Sequence, residues 1–194
     1  MATMAHGITI PDATNEPEAY VRALLDVVGR RDPIGVLRAT HREVARLTSG
    51  VESALLELPL APGEWSVAQL VGHLFDVDIV YGFRWRLLLT EDDPRYPGYN
   101  EKAWALLPKP PFPALMQAWG GLRDANLDLL ERIPRPEWER TAIHGEQGRE
   151  TCAVMVRKLA GHDLAHLEQL ERTLTAVSPG QAGNRAAERG SAAE

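Results

Sequence analysis

Apolar residues recur along the chain at intervals of three and four positions, which is the spacing of amphipathic α-helices. The clearest start signal is Asp32, an N-cap residue followed by Pro33, whose missing N–H costs nothing in the first helical turn. Glycine- and proline-containing breaks separate the apolar segments from one another. The pattern predicts four long helices. They cover residues 33–55, 65–89, 113–132 and about 150–176.

Shorter elements are predicted before and between these helices. A helix over residues 16–30 precedes Asp32, and a weak helix over 101–107 lies between two proline-containing stretches. Strand signals are scarce, because β-branched residues alternate only in GITI, residues 7–10, and the connection at 134–150 is expected to be partly extended. Four long helices with connections of varied length predict an all-α fold, a four-helix bundle with extra short helices.

Chain length and the composition of the two ends set the predicted domain organisation. With 194 residues the chain is expected to form one helical domain, covering residues 16–177. Residues 1–15 are expected to be a flexible arm. Residues 178–194 contain almost no large apolar side chain and are expected to be a disordered tail.

Composition and charge argue against several classes of function. The net charge is −6 and no Lys/Arg cluster stands out, so nucleic-acid binding has little electrostatic support. The amino-terminal residues lack the pattern of a secretory signal, and Asp76, Asp78 and Arg84 interrupt the most apolar stretch, which argues against a transmembrane helix. The single cysteine, Cys152, permits no internal disulfide and fits a reducing compartment. We therefore expect a cytoplasmic protein without membrane or nucleic-acid partners.

Three of the six histidines form a candidate metal site. His162 and His166 lie one turn apart on the last helix and project from the same side, at the edge of its buried face. His73 occupies an inward face of the second long helix, which a bundle can place opposite that pair. Three neutral imidazoles suit zinc, nickel, copper or iron, and they leave coordination positions open for water or substrate. The alternative interpretation is that these histidines are hydrogen-bonded core residues.

Two segments of the chain resemble the DinB/YfiT-like superfamily of metal-binding four-helix bundles. They are GEWSVAQLVGHL at 63–74 and GHDLAHLEQL at 161–170, and the resemblance extends over about residues 33–176. The chain differs from the family pattern at Gln69, where glutamate is frequent. Gln69 suits an S-x-x-Q capping box with Ser66, so this difference leaves metal binding intact. The matching residues are Trp65, Ser66, His73, His162, His166 and Gln169.

This resemblance implies a divalent metal, most readily zinc or nickel, held by His73, His162 and His166. It favours a thiol S-transferase or detoxification enzyme that uses a low-molecular-weight thiol of the mycothiol or bacillithiol type. A metal-dependent hydrolase on the same site is the first alternative, since a bound metal acidifies water. A non-catalytic, stress-related helical binding module is the second. The expected partner is a small molecule, and the family also implies a homodimer.

Three further residues are candidates for roles around the metal. Asp76 and Gln169 lie within one turn of a ligand and are expected to orient an imidazole through its other ring nitrogen. Asp76 is equally well interpreted as a partly solvated helix residue. Arg84, on the same face as His73, is a candidate for binding a substrate carboxylate, and the alternative places it in solvent at the helix end.

Other polar residues receive less specific predictions. Asp163 makes HDLAH look like the H-E-x-x-H motif of zinc peptidases, but it is shorter than glutamate and points away from the metal side. We expect it to be a buried residue that bonds a helix start or an indole. Cys152 lies about three turns from His162, too far to share a metal. His144, in the connection before the last helix, is interpreted either as approaching the site or as an exposed loop residue, and His6 and His41 receive no role. The aromatic residues Tyr81, Trp85, Tyr99 and Trp104 suit either a pocket wall or the core.

Overall fold

The computed structural model describes residues 8–178, and within this range the four predicted long helices are present. Three shorter helices and one 3₁₀ turn, Arg135–Glu139, occupy the connections. In chain order the helices are α1 (Pro17–Val28), α2 (Pro33–Thr48), α3 (Ser53–Leu56), α4 (Val67–Thr90), α5 (Glu101–Ala105), α6 (Phe112–Arg132) and α7 (Cys152–Val177).

Side chains at the helix starts explain where three of the long helices begin. Asp32 accepts hydrogen bonds from the amides of Ile34 and Gly35 at the start of α2. At the start of α4, Ser66 and Gln69 form the predicted capping box, with distances of 2.9 and 3.2 Å. At the start of α7, the Thr151 hydroxyl accepts a hydrogen bond from the amide of Val154. Each cap satisfies backbone donors that have no partner in the first turn of a helix.

The first predicted long helix is shorter than the sequence pattern indicated. The helix was expected to continue to residue 55, but α2 ends at Thr48. Gly50 has a φ of 70°, a left-handed conformation that ends the helix, and α3 begins only at Ser53. The helical spacing of apolar residues therefore extends past the end of α2, through the turn at Gly50 and into α3.

A small sheet, which the strand signals did not predict, closes one end of the bundle. Strand β2 (Thr141–His144) pairs antiparallel with β3 (Gly148–Thr151), and β1 (Arg95–Tyr96) adds to β2 in parallel. Both β2 and β3 come from the connection that was expected to be only partly extended. The GITI segment, by contrast, forms no strand in its described part, residues 8–10.

Helix packing confirms the four-helix bundle. Helix α2 packs on α6 and α7, and α4 packs on the same two helices, so the four long helices enclose a common core. Helix α1 lies against the outside of α7. That contact is close at Gly161, where a Cβ atom would lie 2.2 Å from the carbonyl oxygen of Leu24.

A buried ionic network connects all four helices of the bundle at Arg123. Its Nε donates to Asp78 on α4 at 2.8 Å, and its Nη1 donates to Asp163 on α7 at 2.6 Å. Nη1 also donates to the Leu37 carbonyl of α2 at 3.0 Å. The indole of Trp119 donates to Asp78 at 2.6 Å. Asp163 is therefore buried as predicted, but its partner is a guanidinium and not an indole or a helix start.

Several predictions concern the chain ends. Residues 1–7 and 179–194 lie outside the described range, and they include His6, about half of the predicted arm and nearly all of the predicted tail. Within that range, the amide of Ile8 donates to Glu168 on α7 at 2.9 Å.

Among the described helices, none combines the length and apolarity needed to cross a bilayer.

Replacing Arg123 with methionine is expected to destabilise the protein by about 3–5 kcal/mol, because two buried carboxylates lose their shared cation. The matched control is Arg132→Ala on the same helix, which breaks an exposed i,i+4 pair with Asp128 and is expected to cost less than about 0.5 kcal/mol. Urea unfolding of both variants measures the difference. Equal effects of the two substitutions would contradict the central role of Arg123.

Replacing Gly161 with alanine is expected to lower the melting temperature, because the new methyl group would overlap the backbone of α1. We expect a loss of about 1–3 kcal/mol, typical of overpacking. Gly121→Ala is the control, since no atom lies within 4 Å of its added Cβ, and it is expected to gain up to about 1 kcal/mol in helix propensity. A stabilised Gly161→Ala variant would show that α1 does not hold this position on α7.

Candidate metal centre

The bundle brings His73, His162 and His166 together, and we call this group the histidine cluster. One potential ligand atom from each residue lies within 4.8 Å of those of the other two. Nε2 of His73 lies 3.0 Å from Nε2 of His162. The spacing of four residues on α7 stacks His162 and His166, and the packing of α4 on α7 places His73 opposite them.

Trp65 lies against the cluster from the start of α4. Its ring is 4.9 Å from that of His73 and stacks on that of His166 at 6.3 Å, measured between centroids. The capping box of Ser66 and Gln69 fixes the backbone just after this tryptophan. The Trp-Ser start of α4 therefore places an aromatic cover over the histidines as well as starting a helix.

Burial keeps the three imidazoles neutral. Burial, followed by the neighbouring His166 and Lys109, lowers the pKa of His73 to about 2. The pKa of His162 is lowered for the same reasons, by burial first and then by the adjacent histidines. Burial also lowers the pKa of His166, against the opposing effects of Gln169 and Asp163. Neutral imidazoles carry the lone pairs that a metal requires.

The donor set of the cluster fits a divalent transition metal. Two ligands of a tetrahedral zinc are about 3.3 Å apart when each Zn–N bond is about 2.0 Å. The facing Nε2 atoms of His73 and His162 lie close to that separation. Nδ1 of His162 is buried and has no hydrogen-bond partner among the described residues. Three converging neutral nitrogen donors suit a divalent transition metal.

Gln169 and Asp76 occupy different surroundings. Oε1 of Gln169 lies 3.0 Å from Nδ1 of His166, where it accepts the ring proton and leaves Nε2 free to bind a metal. The Asp76 carboxylate instead accepts two hydrogen bonds from Lys109, at 2.7 and 2.9 Å, and makes none to the cluster in the described structure. Of these two candidates, the fold brings only Gln169 onto a cluster histidine.

A cavity of about 490 Å³ opens beside the cluster, and His162 forms part of its wall. Arg84 lines the same cavity and is only 5 % exposed, so it does not bend out to solvent as its alternative interpretation held. Tyr81 and Tyr99 also line the cavity, whereas Trp85 is fully buried in the core. The cavity gives a small molecule access to one face of the cluster.

His144 is a buried cavity residue, whereas a histidine in a connecting loop is usually exposed. It lies in β2, is 4 % exposed, and its Nδ1 accepts hydrogen bonds from the amides of Glu146 and Gln147. Burial, with smaller effects of Arg84 and Lys158, lowers its pKa to about 3. A neutral ring with its proton on Nε2 is therefore available as a hydrogen-bond donor. The position of His144 could have been predicted from the sequence only together with the β2–β3 hairpin.

Cys152 belongs to the core and not to the site. It is fully buried at the start of α7, and burial raises its thiol pKa to about 12. A thiol in this state is not a nucleophile at neutral pH. Any thiol chemistry at the cluster would need a thiol from outside the protein.

Comparison with known proteins gives consistent matches. A putative metal-dependent hydrolase of Bacillus mycoides is 29% identical over 137 residues, covering 68% of this chain and 79% of that protein. A protein of Oceanobacillus iheyensis with the same description is 27% identical over 115 residues, covering 58% of this chain and 66% of its own length.

One solved structure and one family model extend these matches. The structure is YfiT from Bacillus subtilis, described as a probable metal-dependent hydrolase with an unusual four-helix bundle topology. It superposes with a TM-score of 0.68 at 23% identity, covering 73% of this chain and 83% of YfiT, which supports the shared fold. The DinB superfamily model matches residues 37–170, a range that contains the whole histidine cluster. The chain therefore belongs to the DinB superfamily.

Proposed function

We propose that this chain is a metal-dependent hydrolase that acts on a small molecule. The observation that carries the proposal is the position of the histidine cluster, whose His162 forms part of the wall of an open cavity. A structural metal site is normally closed by four protein ligands, whereas three ligands beside a cavity leave room for water and substrate. The similarity to proteins described as metal-dependent hydrolases supports the same reaction class.

His73, His162 and His166 are the residues that would hold the ion, which we propose to be zinc or nickel. When bound, such an ion supplies a Lewis acid that acidifies a water or a thiol at its open position. Gln169 orients the His166 ring by accepting its Nδ1 proton, and the Trp65 ring packs against the rings of His73 and His166. His144 is placed in the cavity wall to donate a hydrogen bond to a substrate oxygen.

Thiol S-transfer, which the sequence resemblance favoured, would use the same centre with a low-molecular-weight thiol as the second substrate. Cys152 does not provide that thiol, because it is buried and protonated. The similarity to proteins described as metal-dependent hydrolases supports hydrolysis as the first proposed reaction, with thiol transfer second. The non-catalytic binding module, the homodimer and the cytoplasmic location stay predictions.

Untagged protein is expected to bind about one zinc or nickel ion per chain, as measured by plasma mass spectrometry after dialysis. His162→Ala is expected to lose the ion, because two imidazoles alone hold it weakly. Gln169→Leu is expected to weaken metal affinity about 10-fold, since His166 loses the group that orients it. His41→Gln is the control, because His41 bonds the carbonyl of Met116 away from the cluster.

The metal experiment also has a clear negative result. A wild-type protein that binds no ion after reconstitution with zinc or nickel would make the histidines core residues. In that case the non-catalytic module would replace the hydrolase.

The metal-loaded protein is expected to hydrolyse members of an amide and ester panel with water alone. Chelation and His162→Ala are both expected to abolish turnover, because both remove the Lewis acid. A parallel assay adds a low-molecular-weight thiol and an electrophile and measures the conjugate by mass spectrometry. Conjugate formation without any hydrolysis would exchange the order of the two proposed reactions.

A further inference from the structure

Arg84 is a buried cation that forms no salt bridge within residues 8–178. Among the described residues its one hydrogen bond runs from Nη2 to the carbonyl of Pro97, at 2.9 Å, and no carboxylate forms a salt bridge with it. Its guanidinium lies 4.6 Å from the ring centroid of Tyr96 and 5.8 Å from that of Tyr81. The remaining N–H groups of its five-donor fork belong to a side chain that lines the cavity.

No acidic residue within residues 8–178 forms a salt bridge or a hydrogen bond with Arg84. Glu150, in the core, is bound by Tyr96 and Lys158. Glu101 and Glu146 line the cavity, and Glu101 interacts with Arg84 only through space, since its pKa is raised by burial against the opposing charge of Arg84. Arginine and lysine are almost never fully buried unless they are paired, and removing a charge from water without a partner is costly. A buried unpaired guanidinium in a cavity wall is accordingly a binding group for an anion.

The cavity connects Arg84 to the histidine cluster along one face of α4. His73, Val77, Tyr81 and Arg84 follow one another at spacings of four, four and three residues, so they form a single stripe. Val77 and Tyr81 line the cavity between its two polar ends. A ligand that reaches both ends would have a charged terminus, an uncharged middle and a reacting group at the histidines.

We propose that the substrate is an amide or ester with a free carboxylate at the end remote from the bond that is cleaved. Arg84 binds this carboxylate through its planar fork, and the uncharged middle lies on Val77 and Tyr81. This inference rests on the proposed hydrolase function. Water adds to the acyl carbon, the C–N or C–O bond breaks, and the products are a dicarboxylic acid and an amine or alcohol, with one proton passing to the leaving nitrogen or oxygen.

Other charges at the cavity do not replace Arg84 in this role. Lys102 lines the cavity, but it is exposed, so its charge is screened by solvent. Asp12, Glu101 and Glu146 also line the cavity, and their negative charges would repel a ligand with several carboxylates more strongly than a ligand with one. The charge pattern therefore favours a single carboxylate deep in the cavity over a polyanion.

Para-nitroanilides provide a direct test, because they hydrolyse slowly without catalysis and release a coloured amine. The probes are the succinyl, glutaryl, adipoyl and suberoyl para-nitroanilides, each with a free terminal carboxylate, compared with acyl para-nitroanilides of equal length and no carboxylate. We expect metal-loaded wild-type protein to prefer one of the acids by about 10- to 100-fold in kcat/KM. Arg84→Gln is expected to bring this ratio close to one, and Arg84→Lys to reduce it partly.

Arg95→Gln is the matched control, because Arg95 is an exposed residue of β1 that carries the same charge but does not line the cavity. It is expected to keep the wild-type preference. Absence of any preference in wild type, or a preference that survives Arg84→Gln, would overturn the proposal.

A binding experiment separates this proposal from the hydrolase proposal. Metal-free protein is titrated by calorimetry with the preferred acid, or with all four acids when none is hydrolysed. Binding that Arg84→Gln abolishes and Arg95→Gln preserves supports the carboxylate site even without turnover, and absence of binding in wild type overturns it. Melting curves test whether Arg84 is purely structural. In that case Arg84→Gln would lower the melting temperature of the ligand-free protein. If Arg84 binds the ligand, the substitution would remove only the rise in melting temperature that the ligand causes.

Discussion

The buried interaction of Arg123 with Asp78 and Asp163 is the constraint on which the rest of the structure depends. One guanidinium contacts two carboxylates and the Leu37 carbonyl, and so contacts each of the four bundle helices. Burial raises the pKa of Asp78 to about 6, against the opposing effect of Arg123. The Asp78 carboxylate is therefore still ionised at neutral pH and pairs with the guanidinium. Asp163 follows His162 directly in the chain, and Asp78 lies five residues after His73. Any shift of α7 along α4 would therefore separate these carboxylates from Arg123 and the histidines from one another.

The Arg123 network and the groups around the cavity are built differently. Around Arg123 every charge has a partner, which suits a group whose task is to hold helices in register. Around the cavity, His162 has an unbonded ring nitrogen and Arg84 has no carboxylate. A buried polar group without a hydrogen bond destabilises a core, but in a binding site the same group can form a hydrogen bond or an ion pair with a ligand. The polar groups of this protein therefore separate by function as well as by position.

Much of the fold follows from the sequence, because helix periods and caps are local properties. The capping box at Ser66 and the H-x-x-x-H spacing on α7 lie within a few residues, and both were found. The end of α2 was missed because Gly50 acts through its backbone conformation and not through the apolar pattern. The sequence indicated only partly extended structure where the hairpin of β2 and β3 forms, because each strand has four residues and neither shows a long alternation of apolar and polar side chains. The partners of Asp76, Asp163 and Arg84 depend on Lys109, Arg123 and the tyrosines, which only the packed structure brings near.

The hairpin also determines how this scaffold can diversify. The histidine cluster comes from two long helices of the bundle, whereas His144, Glu146 and Gln147 reach the cavity from the β2–β3 hairpin. Changes at Gly145 and Glu146, in the turn between the two strands, would reshape one wall while the long helices keep their sequence. A laboratory library confined to these two positions would thus search substrate preferences with the histidine cluster and His144 unchanged, much as antibody loops vary on a constant framework.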